Sequence, residues 1–199
     1  MKNKIKESFE GSIKVKQKIL DEDLYTSISI MGENISHAMK KGNKLLICGN
    51  GGSAADAQHL AAELLVRLKP HHNRQGLPAI ALAMDTSTLT ACGNDFGFEK
   101  IFQRSIQALG NNGDILLIIS TSGNSKNVIL AMNEARKKRL KVYGFLGSNG
   151  GDAIKLCDEH FLVPGNNTAH IQEAHITAGH ALMEYIEDSL LSSGQINLS

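Results

Sequence analysis

Apolar positions along the chain fall into two regimes. Up to residue 41 they recur at helical spacing: Ile5, Phe9, Ile13 and Ile19, then Ile28, Met31, Ile35 and Met39, with a break at Asp21-Glu22-Asp23. This spacing predicts two helices. After Gly42 the apolar residues gather in short continuous runs over 44–48, 79–83, 114–119, 141–146 and 160–163, which read as strands. The stretches between them, 53–68, 87–108, 124–139 and 167–191, read mainly as helices. Continuous apolar strands alternating with helices predict an α/β fold, a parallel sheet covered by helices on both faces. The chain thus reads as one domain over 1–199: helices at 1–41, an α/β core at 42–191 and a polar tail at 192–199 expected to fray. The helical pair has no evident place on the sheet. Packing against another subunit and capping its own chain are both open to it.

Two of the predicted strands end in glycine/serine turns. One is Cys48-Gly49-Asn50-Gly51-Gly52-Ser53 after Leu45-Leu46-Ile47; the other is Ser120-Thr121-Ser122-Gly123-Asn124-Ser125 after 115–119. Small flexible residues at a strand end, just before a helix, place backbone N–H groups and hydroxyls around an anion. Ligands of such sheets gather at the carboxyl ends of the strands. Two such turns predict a crevice for a phosphorylated small molecule, although Gly, Asn and Ser are also ordinary turn residues. Neither turn matches the P-loop or the dinucleotide fingerprint, so no nucleotide is indicated.

Composition narrows the classes further. At 199 residues and 42% hydrophobic, the chain can bury a full single-domain core. No segment is apolar for long enough to span a membrane, and the basic start lacks the apolar run of a signal peptide. Cys48, Cys92 and Cys157 are scattered and odd in number, which predicts reduced thiols and a cytoplasmic location. A net charge of +1 argues against nucleic acid as a partner. The one dense basic run, Arg136-Lys137-Lys138-Arg139, falls at a predicted helix end, where cations suit the helix dipole.

Chemistry-bearing residues cluster on two predicted helices. His59 and Glu63 stand four apart, about 40° around the helix axis, and so share a face. Gln172 and His180 are eight apart, about 80° around theirs, and can reach one cavity from two turns. Facing one another, these four could form a metal site, a proton-transfer pair, or both. His175 points about 140° from His180 and is expected at an interface or the edge of the site. Asp85-Thr86-Ser87, past a strand end, suits a polyol or a helix cap. His37, His71 and His72 carry no motif and read as surface residues, and 69–76 carries a weak linker signal.

Taken together, Cys48 to Ser53, His59 through Glu63 to Arg67, Asp85 to Ser87, Gly93-Asn94-Asp95-Phe96-Gly97-Phe98, Ser120 to Ser125 and Ile171-Gln172-Glu173-Ala174-His175 closely resemble the phosphoheptose isomerases of the sugar-isomerase (SIS) superfamily. The segments occur in that family's order and spacing over nearly the whole chain. The resemblance implies a three-layer, flavodoxin-like SIS domain with an N-terminal helical extension. It also implies a homotetramer with active sites at subunit interfaces, and conversion of sedoheptulose 7-phosphate to D-glycero-D-manno-heptose 7-phosphate for lipopolysaccharide or related heptosides. By the same resemblance Ser120, Thr121, Ser122 and Ser125 would cradle phosphate. Asn50, Gly51, Ser53, Asp85, Thr86, Ser87, Asn94 and Asp95 would bind the sugar, together with Gln172. Glu63 would take the carbon-bound proton, and His180 would shuttle the proton between oxygens. One zinc per subunit would be held by His59, Glu63, Gln172 and His180.

Two departures and two alternatives accompany this reading. The family commonly has Arg where this chain has His170, which predicts a weaker, pH-dependent phosphate or subunit contact. Residues 69–75 also look less typical. A non-catalytic SIS-fold tetramer that binds the replication initiator would lack the acidic residue and the second histidine, whereas Glu63 and His180 are present. An isomerase or sensor for another sugar phosphate is the second alternative, because one hydroxyl changes pocket affinity by only ~1–3 kcal/mol.

Overall fold

The computed structural model describes residues 2–198. Five strands, β1 (Leu45–Gly49), β2 (Ala79–Ala81), β3 (Ile115–Ser120), β4 (Lys141–Gly147) and β5 (Glu159–Val163), form one parallel sheet in the order β2-β1-β3-β4-β5. Seven helices accompany them: α1 (Lys2–Asp21), α2 (Thr26–Lys40), α3 (Gly52–Leu65), α4 (Thr86–Phe96), α5 (Ile101–Leu109), α6 (Lys126–Lys137) and α7 (Thr168–Ser192). Successive strand side chains point to opposite faces, so each continuous apolar run feeds two cores. Leu45, Ile47, Ile115, Leu117 and Phe145 pack under α2, α3 and α7, whereas Leu46, Cys48, Leu116, Ile118 and Val142 pack under α5 and α6. Leu117 and its fully buried neighbours would each cost about 2–5 kcal/mol on truncation to alanine.

The N-terminal helices break where the sequence predicts, with Asp23 in the left-handed region at φ 53°. The predicted helix over 87–108 is instead divided. Gly97 sits at φ 91°, which closes α4, and a 3-10 turn at Phe98–Lys100 leads into α5. The tail expected to fray is docked: Ile196 is 2% exposed, and Leu198 pairs with Arg74 in an isolated antiparallel bridge. One apolar side chain among polar ones anchors it; Ser199 lies outside the described residues. On α1 the apolar residues divide, Ile19 facing the core while Ile5, Phe9 and Ile13 stand 64%, 70% and 65% exposed.

Candidate active site

The two glycine/serine turns lie side by side because β1 pairs with β3 over five residues, Leu45↔Ile115 through Gly49↔Ile119. From these adjacent ends α3 turns onto one face and α6 onto the other. That reversal opens a crevice at the carboxyl edge of the sheet, where ligands of such folds bind. Gly51, at φ 57° and ψ −123°, lets the chain turn from β1 into α3, whose N-terminus makes no side-chain cap hydrogen bond. In the second turn the Ser120 hydroxyl accepts the Gly123 N–H at 3.0 Å and Ser122 accepts that of Asn124 at 3.3 Å, so these serines also shape the loop. Ser125 caps α6 by position, and Ser53 is buried at the start of α3.

Helix α7 lies against α3 and completes the site. At Gly52 a Cβ would meet Gln172 Nε2 at 2.7 Å, and at Gly179 a Cβ would meet Leu60 Cδ1 at 2.6 Å. These two close approaches bring the helices together. His180 Nε2 then stands 2.8 Å from His59 Nε2, with the rings edge to face, and His59 Nε2 stands 3.2 Å from Glu63 Oε1. Two ring nitrogens at this distance either share a proton or present lone pairs to one cation. Glu63 is shielded, its side chain 15% exposed against 49% for His59.

Three of the four residues expected at the metal thus converge, with one ligand atom from each of His59, Glu63 and His180 within 4.8 Å of the others. Gln172 lies over Gly52 at the start of α3. Asp85 caps α4, accepting the Ser87 N–H at 3.0 Å and the Thr88 hydroxyl. These bonds, the Thr88 one foremost, hold its carboxyl below the usual range. Thr86 and Ser87 are exposed beside it, while Asn94 and Asp95 sit exposed at the far end of α4, joined by a 2.8 Å bond.

His175 overturns the expectation that placed it at an interface or site edge. It is fully buried between Phe145 and Phe161, and Nε2 donates to the Leu146 carbonyl at 3.1 Å. Burial lowers its pKa to about 4, partly opposed by that bond. The helical wheel gave the direction correctly, but that direction faces the sheet. His37 and His71 are exposed as expected, whereas His72 bonds Glu187 through Nδ1 at 2.8 Å. His170 packs inside its own chain, its Cε1 2.3 Å from where a Cβ on Gly11 would stand.

Two residues near the site carry no sequence signal strong enough to find them. Asp56, one turn before His59, has a buried Oδ2 with no partner among the described residues; burial raises its pKa, while His59 and His180 pull it down. Its i,i+3 relation to His59 was a faint clue. Arg74 lies in the stretch read as a weak linker, yet its side chain is wholly buried. It donates to Glu187 at 2.6 Å, and to the Glu63 and Leu64 carbonyls at 2.9 Å each. The segment is therefore a strut under the last turn of α3. His72, Glu187 and Asp188 form a second acidic group, but Arg74 on Glu187 and Lys69 on Asp188 already balance those carboxylates. A cavity of about 340 Å³ lined by Asn34, His37, Lys41 and Tyr143 lies at the opposite, amino edge of the sheet.

Residues 8–147 match the SIS domain family. The phosphoheptose isomerase of Clostridium acetobutylicum is 44% identical over 191 residues, 96% of each chain. The chain belongs to the phosphoheptose isomerase family. Phosphoheptose isomerase 2 of Campylobacter jejuni is 47% identical over 96% of this chain and 94% of its own. Among solved structures, the phosphoheptose isomerase of Francisella tularensis superposes with a TM-score of 0.89 at 39% identity, covering 94% of this chain and 97% of that one.

Proposed function

We propose that this protein is an aldose–ketose isomerase that converts sedoheptulose 7-phosphate to D-glycero-D-manno-heptose 7-phosphate, supplying heptose for lipopolysaccharide or related heptosides. The observation that carries the reading is the meeting of Glu63 and His180 with His59 at the crevice mouth, in a chain of the phosphoheptose isomerase family. Glu63 removes a proton from C1 of the ketose and returns it to C2. His180 moves a proton from O1 to O2, so the charge on the enediol stays small throughout. The Ser120–Ser125 turn and the start of α6 hold the phosphate, and Asn50, Ser53, Asp85, Thr86, Ser87, Asn94 and Asp95 hold the hydroxyls.

The donor set also fits zinc: two imidazole nitrogens and a carboxylate oxygen converge, and the Gln172 carboxamide is on the helix that brings His180. His59, Glu63, Gln172 and His180 would hold one ion per subunit. Zinc when bound would polarise the sugar carbonyl. The exposed Ile5, Phe9 and Ile13 stripe on α1 supports packing of the N-terminal helices between subunits, and a homotetramer is the assembly we assign. Three unpaired cysteines support a cytoplasmic location.

Turnover of sedoheptulose 7-phosphate by the purified protein, before and after chelation and with zinc restored, tests both parts. Activity lost on chelation and recovered with zinc is expected. Activity indifferent to chelation would remove the metal and leave Glu63 and His180 as the acid–base pair. No turnover from a folded tetramer under any of these conditions would sink the assigned reaction.

A further inference from the structure

One side-chain contact joins the two turns of the crevice. Asn50, in the turn after β1, donates through Nδ2 to Asn127 Oδ1 at 2.9 Å, and Asn127, in the first turn of α6, donates back through Nδ2 to Asn50 Oδ1 at 2.8 Å. The two residues are 77 apart in the chain. Asn127 is 2% exposed, and its Oδ1 also accepts the Val128 N–H at 2.9 Å. Paired this way, each planar carboxamide gives one N–H and one lone pair to the other. Two parallel bonds fix both a distance and a plane, where a single bond would leave a hinge. The second N–H of Asn50 is left over by this pairing and, by amide geometry, points away from Asn127.

We propose that Asn127 is a positioning residue that, through Asn50, sets the spacing between the turn after β1 and the turn after β3. A ligand that touches only one turn is indifferent to this spacing. One that reaches both, with phosphate at the second turn and hydroxyls at the first, depends on it. The choice of ligand rests on the isomerase reading above; the link between the turns does not. Holding the start of α6 alone would require only the contact to Val128, and the second half of the Asn127 carboxamide would then have no task.

Asn127→Ala tests the proposal in the full-length protein. The KM for sedoheptulose 7-phosphate is expected to rise about tenfold with kcat within about threefold, the scale of losing a buried pair of hydrogen bonds. Inhibition by inorganic phosphate, which occupies one turn, is expected to change by less than about twofold. Equal losses for substrate and phosphate would overturn the proposal, because Asn127 would then merely shape the phosphate turn. In the cycle with Asn50→Ala, the double variant is expected to match N50A alone; additive losses would likewise overturn it. Deuterium exchange of the peptide amides over 45–60 reads the link without substrate. Exchange at the first turn about fivefold faster in N127A supports it, and an unchanged rate overturns it, whatever the wild type turns over. Wild-type protein that turns over no sedoheptulose 7-phosphate yet shows faster exchange in N127A would sink the isomerase reading while leaving the link intact. Should N127A fail to fold, Asn127→Ser, too short to reach Asn50 but suited to a helix start, carries the same measurements.

Discussion

His59 and His180, 121 residues apart in the chain, face each other Nε2 to Nε2 at 2.8 Å, with Glu63 beside His59 at 3.2 Å. Three donors on two helices converge only because Gly179 lets α7 settle onto Leu60. If this group binds zinc, the ion stabilises the folded state by mass action, about 2.7 kcal/mol at a hundred times Kd. Zinc is therefore expected to raise the Tm of the wild type and not that of His59→Gln or His180→Gln. Equal shifts in all three, read by calorimetry, would place the ion elsewhere.

Glu63→Gln keeps the size of the side chain and removes the base. Turnover is expected to fall by roughly 10²–10⁴-fold, while helix content and Tm stay near wild type. An active E63Q would require another group to take the carbon-bound proton.

Gly52→Ala tests the approach of α7 to the first turn. The added methyl would meet Gln172 Nε2 at 2.7 Å, the far end of a flexible side chain, so Gln172 moves and the fold does not. Gly52 opens α3 and does not sit at positive φ, so its backbone accepts alanine and Tm is expected to hold. Turnover is expected to fall roughly tenfold to a hundredfold, as misplacement near a reacting centre does. Full activity in G52A would show that Gln172 has no part in the site.

Arg74 and Glu187 are both wholly buried and 2.6 Å apart. Arg74→Met leaves the buried Glu187 carboxylate with only its 2.8 Å contact to His72 Nδ1 and is expected to cost about 3–5 kcal/mol in urea unfolding, whereas the double variant R74M/E187L is expected to cost less. A single variant milder than the double would show that His72 holds the Glu187 carboxylate well enough without the guanidinium.

His175 sets a pH dependence of stability. Folded, its imidazole stays neutral until about 4, whereas in the unfolded chain it takes up a proton near its ordinary 6.5. Between those values the unfolded chain binds more protons, so this contribution to stability is lost as pH falls through that window. From pH 7.5 to 5 the share is about 2 kcal/mol. Stability of the wild type is expected to drop more steeply over this range than that of His175→Phe. Parallel slopes in the two proteins would assign the acid sensitivity to other groups.

Alternation of apolar runs and helical spacing was enough to predict the parallel sheet, its two covered faces and nearly every element, because hydrophobic periodicity is a local property. The paired turns and the His59–Glu63 face were legible for the same reason, since each lies within a few consecutive residues. What no local pattern contained was distance across the fold. The wheel angle of His175 was readable, but whether that direction met solvent, a subunit or the sheet was not. The 69–76 stretch looked like a linker because its partners, Glu187 and the carbonyls ending α3, come from elsewhere in the chain. Asn127 carried no signal at all, its carboxamide acquiring a role only when β1 and β3 paired and brought Asn50 beside it. Buried polar groups must find partners wherever the packing leaves them. Those partners are chosen by the sheet order and the helix contacts, and so they emerge only once the chain has folded.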